Sequence, residues 1–349
     1  MSPGFPTHAA LGLHAELPAL DLCSGKNRLG PPEAVMRAIS EAASAAHAQD
    51  VLAAAARSVA ARFKLEPSQV ACGPGANALL WSTAKLLATP GSRWLSVEPA
   101  VTSFNAAARA AGARVTQWRA VERREHRVEL DQVAELARLV EPKVISLSAP
   151  ADPSGTSIPF SSICALAAEL SDTTFVVDQS WLSLSRDHAD LELPAPNNVV
   201  CLRSLSMELG LRIGYALCEP DLAARIAQVL PPTAADAAGV AAALAQTAQL
   251  ASRRSQLQSE AARLQQLLAA LQLTHSPAVT PFTLVRIARA QEVAEELLTR
   301  HHIAVYDATR AGLPDHLRIA APAEAALPQL KTALEQTLER RNLVGGREA

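Results

Sequence analysis

Between Gln69 and Leu202 short apolar runs take turns with helical stretches, and this alternation constrains the fold more than any other feature of the chain. The runs Gln69 to Cys72, Trp94 to Val97, Arg114 to Trp118, Val144 to Leu147, Thr174 to Val177 and Val199 to Leu202 predict strands. Ala76 to about Leu87, Ser103 to Ala111, Leu130 to Leu139 and Phe160 to Leu170 predict the helices between them. Strands joined through helices cannot form hairpins. They cross over and lie mostly parallel, which requires helices on both faces of the sheet and places ligands beyond the carboxyl ends of the strands. Helical spacing also covers Pro32 to about Ala46 and Val51 to Phe63. From about Ala237 to Leu271 the chain is nearly uninterrupted helix former, which predicts one long linking helix. Beyond it, Phe282 to Ile287, Ile303 to Tyr306 and His316 to Ile319 (strands) with Ala290 to Arg300 and Leu327 to Arg341 (helices) predict a compact α+β lobe and a frayed tail from Asn342. The expected division is an N-terminal arm over 1–40, a large domain over 41–236, and a linking helix with a small domain over 237–345.

Lys plus Arg number 32 against 34 Asp plus Glu, a net charge of -2 that offers no footprint for nucleic acid or an anionic membrane. With 49% hydrophobic and 19% charged residues the chain is too apolar for disorder and too interrupted for a membrane span. Five cysteines, none in a C-x-x-C pair, argue against a disulfide framework or a structural zinc site. The first residues have neither a basic segment nor a continuous apolar one, so the expected location is the cytoplasm. Only five lysines are present, so a lysine-dependent chemistry has few candidates.

Gly73-Pro74-Gly75-Ala76-Asn77-Ala78 lies between a strand and a helix, where small residues let a phosphate approach the helix N-terminus. The loop matches G-x-G-x-x-A, and Glu98 follows at a strand end where a ribose-binding acid would lie. Taken alone, it leaves a nicotinamide-dependent oxidoreductase and other phosphate-binding enzymes equally open.

Further segments separate these readings. Asp21 to Pro32, Ser148-Ala149-Pro150-Ala151-Asp152-Pro153-Ser154-Gly155-Thr156, Val176-Val177-Asp178-Gln179-Ser180-Trp181, Arg203-Ser204-Leu205-Ser206-Met207 with Gly210-Leu211-Arg212-Ile213-Gly214-Tyr215, and Gly312-Leu313-Pro314-Asp315-His316-Leu317-Arg318-Ile319 follow one another in a characteristic order. They resemble the motifs of the fold type I pyridoxal-phosphate-dependent aminotransferases of class I/II, in the histidinol-phosphate aminotransferase-like branch. The last segment matches "G-L-P-x-x-L-R-I" almost letter for letter. The resemblance implies an α/β fold type I architecture with a mostly parallel seven-stranded sheet and a small C-terminal α+β domain. It implies a phosphate cup from Gly75, Ala76, Ser204, Ser206 and Arg212, and Asp178 as the partner of the pyridine nitrogen. It implies Phe104 stacked on the ring, Asp152 and Trp181 beside the ring hydroxyl, and Arg318, Asn27 and Tyr306 toward an amino- or oxo-acid carboxylate. It also implies a homodimer in which His47 lies near the other subunit's site.

The sequence departs from that pattern where the chemistry is done. Met207 stands where the family has the lysine that bonds the cofactor, and three residues before Arg212 are missing. Asp152 replaces an asparagine, Trp181 and His47 replace tyrosines, and Tyr306 replaces an arginine. Lys26, on the N-terminal arm, is the candidate substitute amine. Pyridoxal or pyridoxamine phosphate is expected to be held without a covalent bond, if the cleft has kept a cofactor at all. The expected protein is a divergent enzyme of amino-acid or specialised metabolism acting on a carboxylate-bearing small molecule. The rival is a pseudoenzyme, a binding partner of an active paralogue. Arg318 is expected to be solvated or paired with a nearby acid when no ligand is bound, and nearly dispensable for folding.

Overall fold

The computed structural model of the chain describes residues 20–25, 30–44, 48–101, 103–186, 195–344 and 346–348. The strands are β1 (Leu20–Leu22), β2 (Val70–Gly73), β3 (Arg93–Glu98), β4 (Arg114–Arg119), β5 (Val144–Ser148), β6 (Thr174–Asp178), β7 (Val199–Ser204), β8 (Gly214–Leu217), β9 (Phe282–Arg286), β10 (Ile303–Asp307) and β11 (His316–Ala320). Seven of them form one sheet in the order β2-β8-β7-β6-β5-β3-β4. β8 runs antiparallel to both neighbours, and the pairings among β3, β4, β5, β6 and β7 are parallel. The exception follows from connectivity: a short loop rather than a crossover joins β7 to β8. In the parallel core Ser148 is level with Asp178, and Asp178 with Leu202, so the carboxyl ends of β5, β6 and β7 lie side by side.

Alternation along each strand supplies two apolar faces. Val144 and Val176 point into one cluster with Leu79, Leu80, Phe104 and Ile226, whereas Ile145 and Val177 point into the other with Val59, Ile163 and Val240. The smaller sheet, β1-β10-β11-β9, is closed by the arm: β1 pairs parallel with β10, Leu20 against Ile303. Its core, around Phe282, Val293, Leu297 and Ile319, also takes in Trp181 and Leu184 from the loop after β6.

Two expectations are corrected here. The long helix is two, Ala234–Ala245 and Thr247–Ala270, parted at Gln246 with φ −87° and ψ 44°. The first half packs into the large-sheet core, where a Cβ on Gly239 would come within 3.0 Å of Ile39 and 3.1 Å of Ile213. The second half buries Leu264 and Leu268 in the small lobe, so two packing partners impose a break that no Pro or Gly announces. The tail is not frayed over its described length: Leu343–Val344 pairs antiparallel with Arg347–Glu348, and Ala288 N–H donates to the Gly346 carbonyl at 2.7 Å. Among the described residues no helix is long and apolar enough to cross a membrane.

The two lobes meet at a histidine pair. His126, after β4, brings its Nε2 to 3.4 Å from Nε2 of His316, the first residue of β11, with the rings edge to face at 5.0 Å. Burial holds both imidazoles below their ordinary range, His316 at about 4, and the neighbouring His126 adds to its shift. Glu122 opposes both shifts and is itself paired with Arg286 at 3.1 Å. The unfolded chain takes up these protons below about pH 6.5, whereas folded His316 resists until about 4. Stability present above pH 6.5 is therefore lost progressively between about 6.5 and 4. Melting temperatures across that window should fall, and His316→Phe should flatten the slope. An unchanged slope in the variant would clear the pair of responsibility.

Candidate active site

The loop after β2 turns through Gly75, whose φ of +91° only glycine adopts without strain, and opens the twelve-residue helix Ala76–Leu87. A Cβ placed on Gly75 would meet nothing nearer than 3.8 Å, where the Arg212 carbonyl carbon and Ser206 Oγ lie. This leaves a small cradle over the helix N-terminus. The close seat of β8 fixes its floor: a Cβ on Gly214 would fall 2.3 Å from the Arg203 carbonyl oxygen and 3.2 Å from Gly75 Cα. Ser206, opening the short helix Ser206–Leu209, donates its N–H to Ser204 Oγ at 3.1 Å. Helix N–H groups, two hydroxyls and the Arg212 segment converge here, a donor set suited to an anion.

At the end of β6, Asp178 is 9% exposed and accepts from the Ser180 N–H at 2.9 Å and the Ser180 hydroxyl at 2.5 Å. Arg318, on β11 of the smaller sheet, is fully buried. Its Nη1 donates to both carboxylate oxygens of Asp152 at 2.8 Å, and Nη2 donates to the Cys23 carbonyl at 2.8 Å. Trp181 Nε1 donates to Asp152 Oδ2 at 2.9 Å. The guanidinium carbon lies 4.9 Å from the Phe282 ring centre, 5.1 Å from that of Tyr306 and 5.9 Å from that of Trp181. Burial pushes the Tyr306 phenol up to about 12, with Arg318 pulling the other way.

Residues 18–336 match the family model of aminotransferase class I and II. The chain belongs to that family. It is 33% identical over 294 residues to the histidinol-phosphate aminotransferase of Rhodospirillum centenum, covering 80% of each chain. It is 31% identical over 324 residues to that of Paramagnetospirillum magneticum, covering 86% of each. Among solved structures, histidinol-phosphate aminotransferase from Sinorhizobium meliloti, in complex with pyridoxal-5'-phosphate, superposes with a TM-score of 0.85 at 22% identity over 96% of this chain and 95% of that one. Aspartate aminotransferase from Thermotoga maritima gives 0.81 at 16% identity over 95% and 94%. The architecture is the fold type I aminotransferase fold.

Within that family frame the expected residues divide. Gly75, Ala76, Ser204, Ser206 and the Arg212 backbone come together, and Asp152, Trp181, Tyr306 and Arg318 meet in one buried network. Arg318 is paired with an acid, as expected, but it is an interior residue rather than one the fold hardly needs. Phe104 is corrected: fully buried among Ala76, Leu79, Leu80 and Ala107, its ring has no open face for stacking. Glu98 accepts from Ser96, the Ala100 N–H and Asn105, so it presents no open acid to a ribose, and family membership removes the nicotinamide reading. Met207 is half-buried against the cluster that holds Trp181. Lys26, Asn27 and His47 lie outside the described residues. The other four lysines, Lys64, Lys85, Lys143 and Lys331, are exposed at helix ends, on the last helix or before β5.

Sequence reasoning missed Cys23 and Phe282. The first acts through its backbone carbonyl, which leaves no trace in residue type. Phe282 gave a weak signal, as one of only six phenylalanines and the first residue of its strand.

Proposed function

We propose that this aminotransferase-fold protein is a divergent enzyme of small-molecule metabolism that binds a phosphate-bearing ligand without a covalent lysine link and does not run lysine-dependent transamination. The observation that carries this reading is the end of β7, where the cradle of Gly75, Ser204 and Ser206 persists while the adjoining side chain is the thioether of Met207. A thioether neither forms an imine nor shuttles a proton.

Pyridoxal 5'-phosphate is the cofactor the family implies. Its phosphate end fits the residues present: an open glycine cradle at a helix N-terminus, hydroxyls, and Arg212 alongside. Its reacting end does not fit. Asp152 is committed to Arg318 and to the Trp181 indole N–H, Phe104 is enclosed, and no described lysine is at hand. The chain's own contribution is therefore anion binding at the cradle, with the Asp178 carboxylate at the end of the adjoining strand β6. A second reading, a binding protein without catalysis, is favoured by the closed Arg318–Asp152 pair.

Calorimetry with pyridoxal phosphate should show binding, and borohydride should fix no ligand to the unmutated chain. Met207→Lys should gain one borohydride-fixed adduct by mass spectrometry yet recover little transaminase activity, because Asp152 and Trp181 remain engaged. No binding at millimolar cofactor would remove the phosphate reading. An adduct on Lys26 of the unmutated protein would remove the lysine-free one.

A further inference from the structure

A guanidinium enclosed by three aromatic rings, with an indole N–H converging on the same point, is a receptor for a carboxylate. Here both of its terminal nitrogens are in use. Nη1 holds both oxygens of Asp152 at 2.8 Å, Nη2 holds the Cys23 carbonyl at 2.8 Å, and the carboxylate takes a third donor from Trp181 at 2.9 Å. The Asp152 side chain is 6% exposed and that of Arg318 0%. Asp152 comes from the loop after β5, Arg318 from the small sheet and Cys23 from the arm, so three parts of the chain are tied at this point.

We propose that Asp152 is the built-in occupant of a carboxylate receptor centred on Arg318, and that it closes this end of the cleft to ligands carrying a carboxylate. The consequence for ligand choice rests on the function proposed above, but the receptor rests on its own geometry. A tethered carboxylate competes at an effective concentration no free acid reaches in solution. An acid that displaced Asp152 would leave a buried charge whose one donor among the described residues is the indole N–H, beside a second carboxylate, which is strongly unfavourable. A ligand seated at the cradle and reaching this point therefore gains nothing from a carboxylate there.

The test is thermal melting of the full chain in sodium acetate against sodium chloride at equal ionic strength. Asp152→Ala, which empties the receptor, should melt lower than the unmutated protein. It should regain on the order of 5 °C as acetate saturates. The unmutated protein should melt alike in the two salts. An acetate-specific shift in the unmutated protein, or none in Asp152→Ala, overturns the proposal. If Asp152→Ala does not fold, Asp152→Asn carries the same test, since its neutral amide no longer repels the probe; an acetate response is expected, and its absence is fatal. The variant and the unmutated protein carry the same cradle, so the difference between them reports on the receptor alone, and failure here is distinct from failure to bind pyridoxal phosphate.

Discussion

Arg318→Met is expected to lower the free energy of unfolding by about 3–5 kcal/mol, the usual cost of removing one partner of a buried ion pair. Urea unfolding should show it as a lower midpoint at an unchanged slope. The variant keeps the aliphatic length of the side chain among Phe282, Tyr306 and Trp181, so the loss reports mainly on charge and hydrogen bonds. What remains is the Asp152 carboxylate, 6% exposed, whose remaining donor among the described residues is Trp181 Nε1. Adding Asp152→Asn should recover part of the loss, because the stranded charge goes with it; the double variant should cost less than the sum of the single ones. Arg93→Met breaks an ion pair of similar length, 3.0 Å, but its partners are 54% and 76% exposed, so it should cost no more than about 0.5 kcal/mol. A loss at Arg318 as small as that at Arg93 would mean the buried pair does not support the fold.

The contrast shows where the sequence stops being informative. The crossover strands were legible to within two residues, because alternation and the intervening helices are local properties. Strand β8 was not, since Gly-Tyr-Ala-Leu is four residues long and sits directly behind a motif that drew the reading elsewhere. The break at Gln246 depends on which core each half of the helix packs into, and the residues across it, Ala245-Gln246-Thr247-Ala248, include no helix breaker. The glycine side of the cradle was legible because Gly73-Pro74-Gly75 between a strand and a helix is conspicuous in sequence, whereas the close seat of Gly214 against Gly75 joins residues 139 positions apart and leaves no local signal. The use of Arg318 was half legible. Its motif announced a carboxylate partner, yet the carboxylate that meets it lies 166 residues away in the same chain. Phe104 was ambiguous in principle: an aromatic opening a helix after a strand can cover a ligand or fill the core, and only the packing against Leu79 and Leu80 decides.

Arg212→Ala should weaken binding of pyridoxal phosphate about ten- to 150-fold, the roughly 1.5–3 kcal/mol of a charge-assisted contact. The backbone of Arg212 lies against the Gly75 cradle while its side chain is exposed, so a phosphate seated there gains the guanidinium without first extracting it from the core. For the same reason the substitution should leave the melting temperature of the ligand-free protein nearly unchanged, which separates a binding effect from unfolding. Arg212→Lys should recover only part of the affinity, since an ammonium gives a point charge where the guanidinium offers a planar fork. Gly75→Ala tests the other side of the cradle. A side chain at φ +91° is strained, and its Cβ would intrude between Ser206 Oγ and the Arg212 backbone, so affinity should fall even with the guanidinium intact. Calorimetric titration of each variant distinguishes the outcomes. If Arg212→Ala binds as tightly as the unmutated chain while Gly75→Ala does not, the helix N-terminus and hydroxyls carry the phosphate alone; if neither loses affinity, the ligand sits elsewhere.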